Sequence, residues 1–264
     1  MTLTLAITNQ KGGVGKTTIT IGLAAAVARR RPGHRVLVID LDPQANATAA
    51  LEPMGFRAGE SLTTSDVLHT ATVGCAADAI RPSGTWLGVD VIPAELALAT
   101  RQNDGAVAGE VRLRRSLTHA TDVYDLVLID CPPSLGPLSV NALVAADQAL
   151  IVTEPALASV QAISEVLRTV TEVTALNPQL RVGGIVLNKV AGTREAALRV
   201  NELQQTFGAE AGGEHRGLLL WPQVPAAAAF AESYGAHTPV QDFPSGRRAE
   251  LEDVLNELAL AVLR

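Results

Sequence analysis

Hydrophobic positions along this chain follow two spacings that take turns from end to end. Short unbroken apolar runs, closed by Gly, Pro, Asn or Asp, occupy residues 3–8, 35–40, 87–92, 126–130, 149–153, 182–187 and 218–221. The run Val36-Leu37-Val38-Ile39 is typical: no polar residue alternates with the apolar ones, which predicts a strand buried on both faces. Between the runs, apolar residues three and four apart predict helices over 17–30, 141–146, 159–176, 195–207 and 249–263. Strand followed by helix, repeated, predicts an α/β fold with a mostly parallel twisted sheet and helices on both faces. Residues 51–85 carry scattered Gly and polar side chains and give neither spacing. No low-complexity linker divides the chain, so residues 1–264 read as a single domain. The run Arg29-Arg30-Arg31-Pro32-Gly33 reads as the close of the first helix, with basic side chains at its C-terminus and Pro-Gly as the stop.

Composition narrows the function classes. A 47% hydrophobic, 18% charged chain is globular, and only 3% aromatics means a core of Ala, Val, Leu and Ile. The net charge of −6 argues against coating nucleic acid by bulk charge; any DNA contact needs a local basic patch. Cys75 and Cys131 have no metal spacing, which suits a reducing cytoplasm. No signal peptide is expected, because the chain enters a strand at once. No apolar run approaches the ~20 residues of a membrane span.

The chemistry concentrates in Lys11-Gly12-Gly13-Val14-Gly15-Lys16-Thr17-Thr18, between the first strand and the first helix. Glycines let successive backbone N–H groups converge on an anion, and a helix starting at Lys16 adds the positive end of its dipole. Lys16 can reach outer phosphates and the Thr17 hydroxyl can hold Mg²⁺. The usual first glycine of such a loop is replaced by Gln10, and Lys11 is added at the entry. The chain has three lysines, Lys11, Lys16 and Lys189, among 21 basic residues, and two of them sit in this loop. Lysine meets a phosphate as a compact point charge, where arginine would present a planar fork.

Two strand ends offer the carboxylates that magnesium and an attacking water require. One strand delivers Asp40 and Asp42; the other delivers Asp130, which has the form of a Walker B acid. Asp40 is a candidate metal ligand alongside Thr17 and Asp130. Spacing alone leaves open which of Asp40 and Asp42 handles the water.

Together the loop with its preceding Asn9-Gln10, the segment Asp40-Leu41-Asp42-Pro43-Gln44-Ala45-Asn46-Ala47-Thr48, the segment Val89-Asp90-Val91-Ile92-Pro93-Ala94 and the segment from Tyr124 to Ser134 resemble the ParA/MinD family of deviant Walker A ATPases. The resemblance is strongest to the ParA/Soj-type partition proteins and runs from residue 3 to about residue 190. It implies a Mg²⁺-dependent ATPase, slow without a partner, that works as an ATP-sandwich dimer. In that scheme Lys11 reaches across the dimer to the partner's ATP and Lys16 is the phosphate-loop lysine. Thr17 holds magnesium, Asp42 positions water, Asp130 is the Walker B acid and Asn188 contacts adenine. The family also implies non-specific binding to duplex DNA, a ParB-like partner and a cytoplasmic, nucleoid-associated location.

The likeness thins towards the C-terminus. The Pro-Arg-rich stretch expected near residues 218–240 is here Trp221-Pro222-Gln223-Val224-Pro225 followed by alanines. Lys189, Arg194 and Arg199 are the replacement candidates for DNA, with Arg216, Arg247 and Arg248 beyond them. Lys11 follows the N-terminus closely, so no N-terminal DNA-reading domain is expected. The amphipathic segment 249–258 is acidic, which an anionic membrane repels, and it reads as a helix packed on the sheet. Two alternatives stand beside partition: an ATP-switched, MinD-like or cargo-positioning protein without DNA binding, and an enzyme that phosphorylates a carboxylate before amide formation.

Overall fold

The computed structural model describes residues 2–30, 33–102, 105 and 108–263. Seven strands form one sheet: β1 (Leu3–Thr8), β2 (Val36–Asp40), β3 (Arg81–Pro82), β4 (Val89–Ile92), β5 (Leu126–Asp130), β6 (Gln148–Thr153) and β7 (Arg181–Leu187). Their order across the sheet is β3-β4-β2-β5-β1-β6-β7. Every pairing is parallel except that of the two-residue edge strand β3 with β4. The apolar runs divide by parity, as the pleat requires. Leu5, Ile7, Val36, Val38, Leu126 and Leu128 face one layer of helices; Ala6, Leu37, Ile39, Val127 and Ile129 face the other.

The first layer contains α1 (Lys16–Arg30), α2 (Asn46–Leu51), α8 (Ala228–Gly235) and α9 (Arg248–Val262). The second contains α3 (Thr64–Thr70), α4 (Arg112–Leu117), α5 (Pro137–Ala145), α6 (Ser159–Val173) and α7 (Arg194–Phe207). The α/β class and both-sided helix cover are as predicted. Of the basic run that closes α1, Arg31 and Pro32 lie outside the described residues, while Arg29 in the helix's last turn pairs with Asp242.

The fold adds helices α2, α4 and α8 to the sequence reading and departs from it elsewhere. The predicted strand at 218–221 makes only an isolated parallel bridge, Ile185 to Leu219, beside β7. The chain runs on along that edge, with Val224 N–H donating to the Leu187 carbonyl at 2.8 Å. Pro222 and Pro225 supply no N–H, so a continuous ladder cannot form. Residues 51–85 hold α3, whose Thr63 and Asp66 form a reciprocal capping box at its start. Finally, α9 packs against α1 as well as the sheet: a Cβ on Gly22 would meet Leu255 at 3.0 Å, so the two helices approach closely there.

Candidate functional site

The carboxyl ends of five parallel strands converge, and each delivers one part of the site. From β1 the chain turns at Asn9, which is buried. Its amide donates to the Val152 carbonyl at 2.8 Å, and its oxygen accepts from Lys11 N–H at 3.0 Å. Gly13 (φ 76°) and Gly15 (φ 90°) then hold backbone that side chains rarely adopt. The loop feeds α1, whose first turn carries no acidic residue, so the helix keeps its positive end for an outside anion.

Lys16 is 7% exposed and its ammonium lies 3.5 Å from the Lys11 carbonyl. Burial holds its pKa below the ordinary lysine value, against the opposing pull of Asp130 and Asp42. Thr17 donates its hydroxyl to Asp130 Oδ2 at 2.6 Å, and Thr20, one turn later, donates to Asp130 Oδ1 at 3.2 Å. The helix that starts the cradle thus also positions the acid of β5.

Asp40 and Asp130 face each other across paired strands, both buried. Burial raises both pKa values, Asp40 to about 6 and Asp130 to about 7, with the Asp42 charge adding to the rise at Asp40 and the Asp40 charge to that at Asp130. Their surroundings separate their tasks. Asp40 accepts from Asp42 N–H at 3.1 Å, from Thr48 N–H at 2.8 Å and from the Thr48 hydroxyl at 2.7 Å. Three donors leave it little free capacity, and its contacts with Asp42 and Thr48 shape the turn that carries Asp42. Asp42 accepts from Gln44 N–H at 2.9 Å through Oδ1.

Lys11 lies at the rim, its side chain 35% exposed, and its ammonium pairs with Glu154 after β6 at 2.6 Å. Gln10 next to it donates to Glu165 of α6. Asn188, just after β7 and 1% exposed, donates to the Val14 carbonyl at 2.9 Å. Lys189 donates to the Gly13 carbonyl.

The candidate residues Lys11, Gly12, Gly13, Val14, Gly15, Lys16, Thr17, Thr18, Asp40, Asp42, Asp130 and Asn188 therefore share one end of the sheet. The DNA candidates do not assemble. Lys189 is exposed but engaged at the loop, Arg199 is half-buried and pairs with Glu202 at 3.1 Å, and Arg194 stands exposed at the start of α7. Arg216, Arg247 and Arg248 are exposed as well, Arg247 pairing with Glu250 at 2.7 Å. Glu154, Thr48 and Thr20 were not singled out by sequence reasoning. Glu154 did carry a signal, since it closes an apolar strand as Asp40 and Asp130 do.

The donor set fits a magnesium–nucleoside triphosphate. Glycine-backed N–H groups and a buried lysine suit phosphate, and hydroxyl and carboxylate oxygens suit a hard cation. Among the described residues, no three His, Cys, Asp or Glu side chains gather as a metal cage. Magnesium typically takes only one or two protein ligands beside phosphate oxygens and water.

Comparison with known proteins agrees with this geometry. Residues 2–182 match the family model described as an AAA domain. The chain is 35% identical over 261 residues to the chromosome-partitioning ATPase Soj of Thermus thermophilus, covering 95% of this chain and 94% of that one. It is 38% identical over 203 residues to the sporulation initiation inhibitor protein Soj of Bacillus subtilis, covering 75% and 77%. Among solved structures, a cobyrinic acid a,c-diamide synthase from Mycobacterium smegmatis with bound ADP and magnesium superposes with a TM-score of 0.79 at 27% identity, covering 100% of this chain and 95% of that one. An ATP complex of McdA from Cyanothece shares the fold at a TM-score of 0.84 and 21% identity, covering 99% and 96%. The chain belongs to the AAA-domain family and, within it, to the ParA/Soj-type partition ATPases.

Proposed function

We propose that this ATPase works as an ATP-dependent homodimer that settles non-specifically on duplex DNA and releases when a ParB-like partner stimulates hydrolysis. One observation carries the reading: the two loop lysines occupy different environments. Lys16 is buried and aimed along its own cradle, whereas Lys11 is at the rim and is bound by Glu154 rather than by the loop. A rim ammonium on a face that also presents the loop suits a phosphate delivered by a second subunit.

Within each subunit, the N–H groups of the loop and Lys16 bind and orient the triphosphate. Thr17 and Asp130 would hold Mg²⁺, which when bound neutralises charge on phosphate oxygens. Asp42, presented by the turn that Asp40 pins, orients the attacking water. The partitioning roles named for the relatives support DNA as the track and a nucleoid location. Arg194, exposed at the start of α7, is a candidate for that contact.

Light scattering on the full chain tests the dimer. Asp42→Ala with ATP and Mg²⁺ should run as a dimer, and the added Lys11→Ala change should return it to monomer. A dimer that survives loss of Lys11 would remove the cross-subunit role. Sedimentation with DNA should need ATP and weaken steeply with salt; salt-insensitive binding would overturn the non-specific, phosphate-based mode, and no binding in any nucleotide state would leave a cargo-positioning protein without DNA.

A further inference from the structure

All three lysines of this chain meet one loop. Lys189 lies far away in sequence, yet its ammonium donates to the Gly13 carbonyl, while the adjacent Asn188 donates to the Val14 carbonyl at 2.9 Å. Two consecutive residues at the end of β7 thus take two consecutive carbonyls of the phosphate loop. The fit is tight: a Cβ on Gly15 would meet the Asn188 amide nitrogen at 2.1 Å. Lys189 itself sits at φ 55°, a left-handed conformation that non-glycine residues enter only when their surroundings hold them there.

The consequence follows from peptide planarity. In a trans peptide the C=O of one residue and the N–H of the next point in opposite directions. Drawing the Gly13 and Val14 carbonyls towards β7 therefore aims the N–H groups of Val14 and Gly15 the other way, into the cradle. Neither N–H has an acceptor among the described residues.

We propose that Lys189 is a positioning residue for the nucleotide: with Asn188 it clasps the outer arm of the loop so that the Val14 and Gly15 N–H groups face the phosphates. This rests on the nucleotide-site reading above and moves Lys189 from the DNA candidates to that site. Lys189 sets affinity for the diphosphate portion, common to ATP and ADP, and does not take part in water activation.

The test measures binding of fluorescent ADP to the full chain, together with ATPase kinetics, for Lys189→Met, Lys189→Arg and Lys16→Ala. Lys189→Met should weaken ADP binding and raise KM for ATP by about tenfold, the loss of one charge-assisted hydrogen bond, with kcat within about twofold. Lys189→Arg should restore most of the affinity, because its guanidinium can still donate to the carbonyl. Unchanged ADP affinity in Lys189→Met, or an Arg variant as weak as Met, overturns the proposal. So does a Met variant that loses DNA binding alone. Lys16→Ala separates the two levels: if it too leaves ADP affinity unchanged, the nucleotide-site reading has failed, and if it alone abolishes binding, only the clasp has failed.

Discussion

Replacing Asp130 by asparagine should make the nucleotide-free protein more stable at neutral pH while ending its turnover. Asp130 is 1% exposed and lies beside Asp40 across the β5–β2 register. Burial, and then the Asp40 charge, push its pKa from 3.8 to about 7, and Asp40 rises from 3.8 to about 6. In the unfolded chain both carboxyls lose their protons near 3.8, whereas the native state keeps them to higher pH. Between roughly pH 4 and pH 7 the unfolded state therefore binds fewer protons, and native stability falls as pH rises; above that window it is level. One proton of difference corresponds to about 1.4 kcal/mol per pH unit. The rise from 3.8 to about 7, with the opposing pull of Thr17 and Lys16 already counted, corresponds to about 4 kcal/mol at pH 8. The amide hydrogens that asparagine would bury without partners bring the variant's net gain down to about 1–2 kcal/mol. Asparagine removes the charge and keeps an acceptor for the Thr17 hydroxyl. Urea denaturation from pH 4 to 8 should show Asp130→Asn gaining about 1–2 kcal/mol at pH 8, or roughly 3–6 °C in Tm, with the gap closing towards pH 4. Parallel stability curves for parent and variant across that range would refute the reasoning.

Thr48→Val keeps the shape but removes a buried hydroxyl that donates to Asp40 and accepts from Ala94 N–H at 2.8 Å, so it should destabilise by about 2–3 kcal/mol in urea; a change near zero would show that Asp40 does not depend on it. Gly184→Ala places a Cβ 2.5 Å from Leu220 Cγ at φ 149°, and should cost on the order of 2–4 kcal/mol, part of it recovered by Leu220→Ala; an undisturbed Tm would contradict the close approach. Glu154→Gln should alter stability by less than about 1 kcal/mol, since the pair is partly exposed. By freeing Lys11 it should lower the protein concentration at which ATP-dependent dimers form in light scattering, and an unmoved midpoint would deny Glu154 any hold on Lys11.

The parts of the fold legible in the sequence are those whose signal is carried by consecutive residues. Val36–Asp40 and Leu126–Asp130 announce themselves because a strand covered on both faces must be apolar throughout. Helices α2, α3 and α4 are only six or seven residues long, too short for a 3.6-residue period to stand out, although the Thr63–Asp66 box marks one of them. At the site, Lys16, Thr17 and Asp130 were readable from local motif letters. The different hydrogen-bonding of Asp40 and Asp42 was not, because it depends on Thr48 folding back onto Asp40. Lys189 shows the same limit: its partner is Gly13, and nothing local to residue 189 points there.

Part of the support for the loop-and-helix unit comes from the chain beyond residue 182, where the AAA-domain match ends. Asn188 and Lys189 hold the loop, the Tyr234 hydroxyl donates to the Thr18 carbonyl at 2.9 Å, Leu255 fills the space over Gly22, and Asp242 pairs with Arg29 at the far end of α1. Drift in this last third of the polypeptide therefore changes how firmly the loop is braced without altering one motif letter. Two relatives with identical loops can in this way evolve different nucleotide residence times, and with them different lifetimes of the assembled state.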